Sequence, residues 1–169
     1  MRTVLPISFL AVLVTLSAGC GASEATVTER LWVSAIPKSP KTPITAFATM
    51  AGDGDKYLGA FFSGTLLRGG HDVFEWKATG NSTASLRFLQ DGTKANIRLE
   101  TCKPDKIFDY CVNVHGDPTG TVRYQSRKRW VVRRPGKRKA VDGTFVLDVL
   151  QQLSDDDDEL AAALGPRED

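Results

Sequence analysis

The stretch that decides the fold is "ASLRFLQDGTKANIRLE", Ala84 to Glu100. Asp91-Gly92 is a hairpin turn signal between two alternating runs. A two-residue turn there pairs Gln90 with Thr93. That register sets Phe88 opposite Ala95, Leu86 opposite Ile97 and Ala84 opposite Leu99, all apolar and on one face. On the other face Arg87 meets Asn96 and Ser85 meets Arg98. Turn chemistry and alternation agree, as a specified register requires.

The same alternation runs outward in both directions. "RLWVSAI", from Arg30, stops at Pro37, and Pro37, Pro40 and Pro43 make "PKSPKTP" a stiff extended loop. "ITAFATM" follows, then "YLGAFFSGTLLR", where Gly59 and Gly64 predict a bulge or a sharp bend. "HDVFEWK" places Phe74 and Trp76 on one face, and "IFDYCVNVH" does so for Phe108, Tyr110, Val112 and Val114. After the turn "GDPTG", "TVRYQ" and "RKRWVV" continue the pattern. About eight or nine short strands predict a mainly β fold, an antiparallel β-barrel or sandwich.

The period changes near the end. Val146, Val149, Leu150 and Leu153 recur at helical spacing, so a helix begins near Asp142 or Thr144. Ser154 with Asp157 reads as a capping pair, and the acids from Asp155 to Glu159 suit the start of a second short helix. The expected layout is a leader over 1–19, a tether over 20–29, a barrel-like domain over 30–134, and a basic linker with a short C-terminal helical segment over 135–169.

The leader reading rests on the first residues. Arg2 precedes the uncharged run "VLPISFLAVLVTL", Val4 to Leu16, and small residues follow. That is the layout of a secretory signal, and the run is shorter than the roughly 20 residues of a membrane span. Leu16-Ser17-Ala18-Gly19-Cys20 resembles the bacterial lipobox, departing from it in having Ser17 three residues before the cysteine. The resemblance implies cleavage before Cys20, acyl chains on Cys20 and a membrane-anchored lipoprotein. Gly21, in place of Asp, implies the outer membrane, facing the periplasm.

With Cys20 assigned to lipid, Cys102 and Cys111 remain of three cysteines. In an exported chain two leftover thiols predict a disulfide. The spacing of "CKPDKIFDYC" does not match a zinc pair, and no metal or other cofactor is expected.

The chain carries 22 basic and 20 acidic residues, so its overall balance names no partner. The distribution is lopsided. "RKRWVVRRPGKRK" holds eight cations in thirteen residues: Arg127, Lys128, Arg129, Arg133, Arg134, Lys137, Arg138 and Lys139. Three readings compete: a site for anionic lipid or a cell-wall polymer, with Trp130 at an interface; an edge strand protected by cations; and an internal dock for the acidic run. Nucleic acid fits the charge but not the compartment.

Catalytic signatures are missing. Ser63 lacks the G-x-S-x-G context. His71 and His115 each sit beside glycine at a strand end, where turn polarity is ordinary. The expectation is a binding or structural lipoprotein, not an enzyme. "HDVFEWKATGNSTASLRF" loosely resembles the aromatic hairpin of bacterial lysozyme-inhibitor lipoproteins, which implies an inhibitor as one alternative. Another is a hollow barrel holding a small apolar ligand, as lipocalins do.

Overall fold

The computed structural model describes residues 27–52, 54–133 and 141–165. Its strands are β1 (Leu31–Val33), β2 (Ile44–Ala51), β3 (Lys56–Thr65), β4 (Arg68–Gly80), β5 (Thr83–Phe88), β6 (Lys94–Thr101), β7 (Tyr110–His115) and β8 (Arg123–Ser126). Helices α1 (Phe145–Ser154) and α2 (Asp158–Leu164) follow. Each strand pairs antiparallel with the next, and β8 returns to β1, giving a closed eight-stranded barrel. The mainly β class and the C-terminal helices are therefore as expected, with barrel rather than sandwich closure.

Strand parity explains where the apolar residues go, since neighbours along a strand point to opposite faces. Trp32, Phe47, Phe61, Phe74, Leu86 and Tyr124 turn inward and belong to one buried cluster. Leu31, Ala46, Ala48, Ala60 and Phe62 turn outward from β1–β3, where α1 and α2 cover them with Phe145, Val149, Leu150 and Leu160. This is why "LWV" and "ITAFATM" are buried on both faces rather than on alternate residues.

Inside the barrel the rings meet in sequence. Phe47 lies 5.4 Å from Phe61 and 4.9 Å from Tyr124, and Phe61 lies 4.8 Å from Phe74. Gly59 makes this possible without the expected bulge. It pairs regularly with Thr49 and Phe74, and a Cβ there would come within 2.7 Å of the Phe74 ring.

Three further expectations need correction. The hairpin register pairs Leu86 with Ala95 and Ala84 with Ile97, two residues from the predicted one. Phe88 N donates to Thr93 O, and Gly92 N, at φ 75°, donates to Phe88 O, so Leu89–Gly92 is a four-residue loop. Asp91 stabilises it by accepting from the amide and the hydroxyl of Thr93. Second, "RKRWVV" is not a further strand. β8 pairs with β1 at Val33–Gln125, and beyond that point single contacts replace the ladder: an Arg30–Val131 bridge, Leu31 N to Trp130 O, and Val132 N to Glu29 O. Third, Ser154 does not cap α2. It ends α1 and donates to Gln151 O, whereas Asp157 caps α2 by accepting from Leu160 N.

Candidate functional site at the barrel mouth

The aromatic filling does not reach both ends. The starts of β1, β3, β5 and β7 meet the ends of β2, β4, β6 and β8 around a mouth with a cavity of about 740 Å³. Trp32, Trp76 and Val112, buried among the lining residues, form the floor. Leu99 and the half-buried Tyr110 form part of the wall. Exposed residues of the β4–β5 turn, Gly80 to Thr83, lie on the rim.

The floor is held by local bonds. Trp32 Nε1 donates to Val27 O at 2.9 Å, so Val27 joins the cavity lining and packs on the inner cluster. The β6–β7 part of the wall is fixed by the Cys102–Cys111 disulfide, which joins the end of β6 to β7 with Cα atoms 5.0 Å apart. Both half-cystines line the cavity. The connecting loop is pinned to β8: Asp105 N donates to Gln125 Oε1, Gln125 Nε2 returns a bond to Asp105 Oδ2, and Arg123 donates to Lys103 O.

Arg30 packs against Tyr110 of this wall. It is 7 % exposed, and its guanidinium carbon stands 4.6 Å from the Tyr110 ring centroid. Nη1 donates to Arg127 O at 2.6 Å, while Nε is buried without a partner. Burial lowers its pKa, and the nearby Tyr110 and Asp109 oppose that shift.

The basic segment leaves β8 at the same end. Arg127 and Arg129 are engaged internally, as the docking alternative anticipated. Arg127 pairs with Asp157 at 2.7 Å and also meets Glu159; Arg129 meets Asp157 at 2.9 Å. Trp130, expected at an interface, is fully buried. It stacks edge-on to Phe108 and donates to Asp157 Oδ2. Burial alone would raise the Asp157 pKa, but hydrogen bonds from Trp130 and Leu160 and the Arg127 charge outweigh it and hold the carboxyl below its usual range. Lys128 and Arg133 are exposed. Arg134, Lys137, Arg138 and Lys139 lie outside the described residues, as does Cys20 with the whole of 1–26.

The two histidines do not meet. His71 is on β4 and His115 on β7, with β5 and β6 between them. His115 Nε2 contacts Glu100 at 3.0 Å, and His71 packs so closely on Gly143 that a Cβ there would fall 2.1 Å from its ring. Among the described residues no three His, Cys, Asp or Glu side chains gather as metal ligands.

Sequence reasoning singled out Phe74 and Trp76 as one face but did not identify the mouth. The signal lay in the interior parity of Trp32, Trp76 and Tyr110. Which end stays open depends on strand stagger, which alternation does not encode. Comparison with known proteins finds no matching family model, no matching curated protein and no matching solved structure.

Proposed function

We propose that this chain is a cell-envelope lipoprotein, anchored through Cys20, whose barrel binds a small apolar or amphipathic molecule in its mouth. The observation that carries the reading is the 740 Å³ cavity floored by Trp32 and Trp76 in a barrel otherwise filled by rings. Ligand sites of small molecules are concave, mostly apolar and of roughly 300–1,000 Å³. The lipobox-like Leu16–Cys20 supports the anchor and the exported location. The exposed Lys128 and Arg133, close after β8 at the mouth end, support attraction of that end to anionic headgroups.

An environment-sensitive naphthylamine dye tests the reading. Its emission should rise on binding to the protein, with energy transfer from tryptophan, and Thr101→Trp at the cavity wall should abolish the rise while the fold is retained. A dye that ignores this substitution would reject the mouth as the site.

A further inference from the structure

We infer that the mouth takes a single-chain amphiphile with an uncharged, hydroxyl-bearing head, of the monoacylglycerol kind, drawn from the membrane to which the chain is tethered. This rests on the reading of the mouth as an apolar-ligand site and names its occupant.

The floor dictates the tail. Trp32, Trp76, Val112 and Leu99 offer apolar surface, and the cavity is of small-molecule size rather than large enough for a two-chain lipid. The rim dictates the head. Asn81 and Ser82 line it, with Thr101 on the wall, and among the described residues their side chains make no hydrogen bond with another protein group. Amide and hydroxyl groups both donate and accept, so they suit an alcohol head.

Charge argues against an acid. Among the described residues the one charged lining residue is Asp109, a carboxylate whose Oδ2 accepts from Lys128 N. Among the described residues no lysine or arginine lines the cavity. Arg30, over the Tyr110 ring, is not among the lining residues; its Nη1 serves the carbonyls of Arg127 and Lys128, and its Nε is buried without a partner. An anionic head would therefore lose hydration without gaining a counter-ion, which is costly.

The tether dictates the source. Val27 lines the mouth, bonded to Trp32, and follows Cys20 by seven residues. Such a segment reaches at most about 25 Å when fully extended. Acyl chains on Cys20 would hold the mouth within that distance of the bilayer, and no other end of the barrel is so constrained.

The full chain carrying Cys20→Ser, studied without detergent, is the test material. Native mass spectrometry at submicellar lipid should find one monoacylglycerol bound, and a fatty acid of equal chain length bound at least tenfold more weakly at neutral pH. Leu99→Trp should weaken binding at least tenfold, whereas Leu67→Trp, on an exposed hairpin at the opposite end, should not change it. Equal or tighter fatty-acid binding overturns the head assignment but leaves the apolar mouth standing. Failure of both lipids and of the naphthylamine dye, in a protein with intact circular dichroism, sinks both readings. In a second arm, the lipidated protein should take labelled monoacylglycerol from its own vesicles faster than the Cys20→Ser chain added from solution. Equal rates would overturn the membrane as the source.

Discussion

Arg127 Nη1 reaches both carboxylate oxygens of Asp157, at 2.7 and 2.8 Å, from the end of β8 to the cap of α2. The same carboxylate accepts from Trp130 and from Leu160 N. One buried side chain thus joins barrel, basic segment and tail. Asp157→Ala leaves Arg127 buried without its main partner, and breaking such a pair costs about 3–5 kcal/mol. A denaturant midpoint equal to that of the wild type would reject this role.

The same carboxylate sets an acid limit. Its folded pKa is depressed, so its contribution is complete above the unfolded value, about 3.9, and is lost as pH falls through the folded value. Stability should therefore decline below about pH 4. Asp157→Asn should flatten that part of the curve, measured by urea titration at a series of pH values.

The Cys102–Cys111 bridge closes a short loop at the mouth. On the chain-entropy model it contributes about 2–3 kcal/mol. Cys102→Ser with Cys111→Ser should lower stability by that amount and reduce dye binding, since both residues line the cavity. Unaltered binding in the double variant would show that the loop keeps its place through Gln125 and Arg123 alone.

Gly59→Ala would place a methyl group 2.7 Å from Ala48 O and from the Phe74 ring. Overpacking of this kind costs about 1–3 kcal/mol. Calorimetry should show a lowered Tm, and a companion Phe74→Leu should recover part of it. Additive losses would mean that the clash with the backbone carbonyl dominates.

Cys20→Ser should release the protein from membranes and stop incorporation of labelled palmitate. Each buried CH₂ contributes about 0.8 kcal/mol to anchoring, so losing the chains removes the dominant attachment. Membrane partition and labelling that survive the substitution would reject the lipoprotein reading.

Much of the barrel was legible because alternation reports strand faces directly. Phe74 and Trp76 do share the interior, and Leu86 and Ala84 remain on the apolar face despite the altered register. The discrepancy in register was two residues, and an even shift preserves the face of every side chain. The turn itself was misjudged because Asp-Gly fits more than one loop length, and only the Gly92 N–Phe88 O bond decides between them. The spacing of Ser154 and Asp157 suggests a capping pair, while the burial of Asp157 beside Arg127 depends on how the tail returns to β8. Such long-range charge pairing leaves no period in a sequence.

The seam between β1 and β8 has a temporal consequence. Its ladder is short, and Trp130 and Val132 complete it by bonding to Leu31 and Glu29. A chain threaded across a membrane from its N-terminus presents β1 first and these partners only after some hundred residues more. Until then β1 and the growing meander have an open edge, with "LWV" and "ITAFATM" uncovered on the face that α1 will later occupy. Helix α1 supplies that cover only after the seam residues have emerged. On the exported reading proposed above, the interval between emergence of Val33 and arrival of Phe145 is when this protein would most need a holding chaperone.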